Sequence, residues 1–398
     1  MTPRQGTCGN EVLRVGFIPL LDAAPLIVAR EFDFAREEGI ALELLRETSW
    51  ATLRDRLAVA HLDAAHILAP LAIADSLGLT PLPVGLVVPM SLGTAGNTIT
   101  VSRAVLAGLL RHGADDTLDP ERGARAFAAL VAERRAAGLE PLSLAIVHAY
   151  SAHHYQLAYW LGWAGVRPGV DVELVVIPPS LTTAALQSSR IDGFCVGEPW
   201  GSLAASIGVG HIVTTSSHIW KRSPDKVLGV RRAFAAQAPG RTAALLRAVH
   251  RAACWCERPE NQSELASLLS REDLIGQPAD VIQTALSRRS SPGAGAPPSS
   301  DGFLSFAADD ATLPRRDHAA WFFAQMVRWG QAKLTAANVK AVQETYRPDL
   351  FEAALASTAP QPHRPVADAV ALFDGIAFDP DRIAEYVGGF TVRVRDGV

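Results

Sequence analysis

The chain has 398 residues, 48% of them hydrophobic and 20% charged, with a net charge of −4. That length normally means two or more lobes, and that composition buries sizeable cores and excludes a disordered chain. The acidic balance argues against nucleic acid as a direct ligand, and no apolar run reaches the roughly 18–20 residues a membrane span needs.

The first residues, MTPRQGTCGNE, hold one arginine and no apolar h-region, which leads to the expectation of a cytoplasmic chain. The four cysteines (Cys8, Cys195, Cys254, Cys256) fit that expectation. Cys254 and Cys256 stand two apart in a helical pattern and face different ways, so they read as free thiols and not as a metal pair.

Residues 12–18, VLRVGFI, read as a strand. A helix over 22–39 follows, with Asp22 as candidate N-cap and Gly39 as its close. ALELLRE is the next strand, TSWATLRDRLAVAHL a helix capped by Thr48 or Ser49, and AAHILAP a short strand. The alternation implies parallel pairing with right-handed crossovers. LPVGLVVPM and TITVS come next.

A second unit opens with the charged amphipathic helix over 117–139, whose Arg/Glu run reads as a solvated face. LSLAIVHAY is a strand, SAHHYQLAYWLGWAGV a helix, VELVVIPP a strand, SLTTAALQSSRI a helix and GFCVGEP a strand. GHIVTTSSHIW and DKVLGVRRAF then return as strands towards the first unit, followed by two helices. Residues 290–302, SSPGAGAPPSSDG, read as a linker. Beyond them lies an amphipathic helix whose Trp321, Phe322, Met326 and Trp329 read as packing residues, and then a weakly structured tail. The doubled pattern predicts two α/β lobes, 12–97 plus 212–398 and 98–211, crossed near 96–102 and 205–215. Ligand sites favour such junctions and the carboxyl ends of parallel strands.

Five strand-to-helix junctions carry unusual residues: Pro19 to Pro25, Thr48 to Trp50, Ser151 to His153, Pro178 to Thr183 and Gly197 to Trp200. Unpaired N–H groups and the helix dipole make such places suited to anions. Trp50 offers an indole N–H, His153 an imidazole, Asn97 an amide and Lys226 one full positive charge. Each residue taken alone has an ordinary reading, as core, turn or surface. Together they suit a small planar monoanion and are too few for a nucleotide, for which no phosphate-loop motif is present either. No G-x-S-x-G, H-E-x-x-H or paired-cysteine motif points to an enzyme, and His61 and His66 are badly spaced for zinc.

The segments LRVGFIPLLDAAPLIVAREFDF, ETSWATLRDRLA, DAAHILAP, SAHHYQLAYWL and RIDGFCVGEPW…IWKRSPDKVLGVR resemble the nitrate and bicarbonate solute-binding proteins of ABC importers. They are most similar to the cytoplasmic nitrate/nitrite sensor branch, the NasS type. The resemblance implies a two-lobed α/β fold of the type II periplasmic-binding-protein class. It implies a nitrate pocket made by Trp50, Asn97 (commonly glutamine in the family), His153, Gly197 and Lys226, with no metal or other cofactor. It has Gly197 bring its backbone N–H to the anion where a Cβ would intrude. Lys226 favours nitrate, because the bicarbonate relatives place a metal beside their anion and lack this lysine. The expected role is a cytoplasmic sensor, not an enzyme, that releases a NasT-type RNA-binding antiterminator when nitrate or nitrite binds. The alternative is the solute-binding component of a nitrate or bicarbonate importer.

Overall fold

The computed structural model describes residues 12–288, 303–356 and 370–394. Cys8 and the whole of the expected 290–302 linker lie outside the described residues.

Eleven strands build two five-stranded sheets with one short link between them. They are β1 (Val12–Phe17), β2 (Ala41–Arg46), β3 (Ala64–Leu68), β4 (Leu86–Ser91), β5 (Thr94–Ala95), β6 (Asn97–Ser102), β7 (Leu142–Ile146), β8 (Val172–Val176), β9 (Gly193–Gly197), β10 (Gly210–Thr215) and β11 (Lys226–Arg231). The first sheet has the order β2-β1-β3-β11-β4, and the second β10-β6-β9-β7-β8. In each sheet three strands run parallel, and the two contributed after or before a crossing run antiparallel to their neighbours. This is the expected two-lobed α/β architecture. β3, β4 and β9 are buried along their whole length, as continuous apolar runs covered by helices on both faces should be.

The crossings differ from the expected positions. β6 and β10 pair with each other over Thr98–Ser102 and Gly210–Thr215, so boundaries at 97/98 and 211/212 would cut through the second sheet. The chain crosses instead at residues 92–96 and 216–225, on either side of that pair. Backbone geometry marks the first crossing: Gly93, Ala95 and Gly96 all have positive φ. Gly93 has a second constraint, because a Cβ there would come within 2.5 Å of the Ser305 carbonyl oxygen. Asn97 N–H donates to Ser216 Oγ at 3.0 Å and joins the two crossings.

The helix expected over 22–39 is broken. A 3-10 turn at Leu21–Ala23 leads into the helix Ala24–Glu31, and a separate turn of helix, Phe34–Glu37, follows Asp33 at φ 62°. Asp22 caps nothing. The C-terminal region also departs from expectation, because it does not belong to one lobe. The helix Arg316–Arg328 packs against both Ala69–Ser76 of the first lobe and Ala152–Trp163 of the second. Trp321, Phe322 and Met326 are buried in that contact as expected. Beyond it, Tyr159 Oη donates to Asp374 Oδ2 at 2.7 Å, and the helix Ile383–Gly388 buries Tyr386 at the start of the tail expected to be weakly structured. Cys195 and Cys256 are buried free thiols, and Cys254 is half-buried.

Candidate functional site

Two helix starts place the first pair of side chains. Ser49 is extended at φ −137°, and its hydroxyl accepts from Thr52 N–H at 3.1 Å. This cap puts Trp50 at the first position of the helix Trp50–Ala58. Ser151 does the same for the helix Ala152–Trp163, accepting from His154 N–H at 3.1 Å, which puts His153 at the second position. The neighbouring His154 turns back to the Ala149 carbonyl at 2.7 Å, while His153 points into the protein and is fully buried.

Lys226 opens β11, one residue after the second crossing, and its side chain is fully buried. Its Nζ lies 3.5 Å from His153 Nε2 and 5.9 Å from the centre of the Trp50 ring. The fold therefore joins three of the expected residues, drawn from positions 50, 153 and 226, around one ammonium. Asn97 and Gly197 complete the set as direct partners across the β6–β9 pair. A Cβ at Gly197 would stand 3.2 Å from Asn97 Oδ1 and 3.4 Å from Leu20, so the amide and the glycine fit each other.

The ammonium is not alone, as the sequence reading had it. Asp22 Oδ2 accepts from Lys226 Nζ at 2.9 Å, and the Asp225 carboxylate accepts a second, shorter bond. His66 Nε2 lies 2.8 Å from Asp22 Oδ1, and its ring tilts against Trp50 with centroids 5.4 Å apart. His66 had been weighed only as a zinc ligand, and Asp22 only as a cap. Both stood in apolar runs, FIPLLDAAPLIV and AAHILAP, where a polar side chain must find a buried partner. Asp225 had gone unnoticed, although it adjoins Lys226. Gln156 was missed as well: it accepts from Asn97 Nδ2 at 3.0 Å through Oε1 and donates to Ser223 Oγ in the second crossing.

Burial and charge fix the protonation states. For Asp22, burial pushes the pKa up, but Lys226 and His66 outweigh it and hold the carboxyl below its ordinary range. For Asp225, burial wins, aided by the negative charge of Asp22, and the pKa rises to about 6 in spite of Lys226. Lys226 is depressed by burial but raised further by its two carboxylates, so it stays charged. Burial, then the Lys226 charge, drives His153 well below its ordinary value, so this imidazole is neutral. An ammonium offers no lone pair, so His153 Nε2 must be the acceptor and Nδ1 must carry the hydrogen.

His153 Nδ1 and Trp50 Nε1 are buried and have no hydrogen-bond partner, and the same holds for Asn97 Oδ1 and Asp225 Oδ1. Orphaned polar atoms at this depth are costly, and clustered ones mark a place for a polar guest. None of Asp22, Trp50, His66, Asn97, His153, Asp225 and Lys226 is more than 5% exposed, so the cluster is shut away from solvent. Among the described residues no group of histidine, cysteine and carboxylate side chains could hold a metal ion. No described helix is long and apolar enough to cross a membrane.

Known proteins share the sequence pattern and the fold. Residues 7–270 match the NMT1-like family. The chain is 30% identical to the nitrate/nitrite binding protein NrtA of Synechococcus elongatus, covering 98% of this chain and 89% of that protein. It is 31% identical to the bicarbonate transport ATP-binding protein CmpC of the same species, over 96% of this chain but only 55% of the longer relative. The crystal structure of the periplasmic nitrate-binding protein NrtA from Synechocystis superposes with a TM-score of 0.85 at 28% identity, covering 96% of this chain and 98% of that one. The chain belongs to the NMT1-like family and, within it, to the nitrate-binding solute-binding proteins that share the periplasmic-binding-protein fold.

Proposed function

We propose that this chain binds nitrate or nitrite between its lobes, as the solute-binding component of an ABC importer. The observation that carries the reading is the pair of unpartnered buried donors, Trp50 Nε1 and His153 Nδ1, set about the Lys226 ammonium. Nitrate has only acceptor oxygens, so it needs donors and a positive charge. Neutral donors aimed inward supply direction, and a fully buried ammonium supplies attraction in a poorly screening surrounding. Asn97 and Gly197 shape the wall of the second lobe, and the Asn97–Gln156–Ser223 chain ties that wall to the second crossing. Closure follows if the ligand binds the closed lobes better than the open ones.

The importer role takes precedence over the sensor role because one relative is named a nitrate import ATP-binding protein and another a periplasmic nitrate-binding protein. The antiterminator partner and the cytoplasmic location belong to the sensor reading, and the partner rests on resemblance to that branch alone. The role is one of binding and not of catalysis, in keeping with the relatives' names.

Titration calorimetry with nitrate, nitrite, bicarbonate and chloride tests the ligand. One-to-one binding of nitrate or nitrite, with chloride and bicarbonate weaker, is expected. Tighter bicarbonate binding contradicts the assignment. Affinity capture from cells that carry both an importer permease and an antiterminator tests the role, and the permease is the expected catch. Recovery of the antiterminator, released by nitrate, would restore the sensor reading.

A further inference from the structure

The Lys226 ammonium has three N–H donors, and all three have an acceptor: Asp22 Oδ2, Asp225 Oδ2 and His153 Nε2. Its charge is outmatched as well, with two carboxylates against one cation. An incoming anion would leave one positive and three negative charges in a region closed to water, where repulsion is weakly screened. Asp225 Oδ1 is buried there without a partner. Ionised, it would repel an anion beside it.

We propose that the anion enters together with one proton, taken from solvent onto Asp225 Oδ1, so that Asp225 becomes a neutral O–H donor to the ligand. This inference rests on the nitrate reading above and adds Asp225 to the groups that bind the ligand. The proton balance is simple: one anion and one hydrogen ion are taken up, and the net charge of the site is unchanged.

The surroundings choose Asp225 over Asp22. Asp22 is held on one side by Lys226 and on the other by His66, so it keeps its charge. The groups facing Asp225 are Lys226 beside it, Asp22 from the turn before the first helix, Asn97 from β6 and Cys195 from β9. Only Lys226 among these is positive. His66 contacts Asp22 and His153 contacts Lys226, and burial keeps both imidazoles below their ordinary values. Burial already lifts the Asp225 pKa to about 6, and a neighbouring anion lifts it further.

The test is nitrate calorimetry at neutral to mildly alkaline pH, in buffers of different ionisation enthalpy. The expected result is uptake of about one proton per nitrate, with affinity falling about tenfold per pH unit above the Asp225 midpoint. In Asp225→Asn the uptake should vanish and the affinity become flat in pH. Infrared difference spectra of the unaltered protein, read for conversion of carboxylate to carboxyl on nitrate addition, give the answer without a variant. Nitrate heat with no buffer dependence overturns the coupling and leaves the nitrate reading intact. Uptake that persists in Asp225→Asn overturns the choice of residue. No nitrate heat at any pH overturns the nitrate reading, and the coupling falls with it.

Discussion

The two walls of the cleft are built on different principles. The first lobe and its crossing supply every charge: Asp22, Asp225 and Lys226, with His66 behind them. The second lobe supplies only neutral groups: His153, Asn97, Gln156 and the Gly197 backbone. Charges are costly to bury unless their geometry is fixed, so they sit together on one rigid sheet and its preceding turn. Neutral donors are less costly to bury, so the second lobe can meet the first with them alone. The contact between His153 Nε2 and Lys226 Nζ, 3.5 Å apart, is where the neutral wall meets the charged one.

The largest effect should come from the charged wall. Lys226→Met leaves Asp22 and Asp225 buried without their cation, and should cost about 3–5 kcal/mol of stability and abolish nitrate binding. Urea denaturation and calorimetry read the two losses. On the neutral wall, His153→Ala should cost affinity instead, about 1–3 kcal/mol by calorimetry, the scale of a lost hydrogen bond to a charged ligand. Equal stability losses from both variants would break the comparison. Gly197→Ala should cost about 1 kcal/mol, since its Cβ needs Asn97 Oδ1 to give by a few tenths of an ångström. Ser151→Ala removes only a helix cap and should cost about 1 kcal/mol in stability.

Protonation sharpens the same contrast. Asp225 has its folded pKa raised from 3.8 to about 6, so its stabilising share is complete below 3.8 and is lost as pH rises through about 6. Asp22 has its folded pKa lowered, so its share is present above 3.8 and is lost as pH falls. Relative to Asp225→Asn, the unaltered protein should therefore lose stability between pH 3.8 and about 6 and change little above that. A difference that does not vary with pH would show that Asp225 is not perturbed.

Much of the fold was legible because the doubled strand–helix pattern carries it. The five candidate residues stood out because they stand at capped helix starts and strand ends, where composition breaks pattern, and the structure brings Trp50, His153 and Lys226 together. The crossings were misplaced because β10 looks alike whichever sheet it joins, and only its pairing with β6 assigns it. Asp22 read as a cap because an aspartate before a helix is usually one. Its true partners, His66 and Lys226, lie 44 and 204 residues away, and no local rule reaches that far. The C-terminal helices were placed on one lobe because sequence proximity says nothing of a strap that packs on both.

The central claim is that a small oxyanion sits where the charged and neutral walls meet. A crystal structure of the protein grown with nitrate tests this most directly. The account predicts a planar anion within hydrogen-bonding distance of Trp50 Nε1 and His153 Nδ1 and beside Lys226 Nζ. Nitrate bound elsewhere, with Trp50 and His153 still unpartnered, would contradict it.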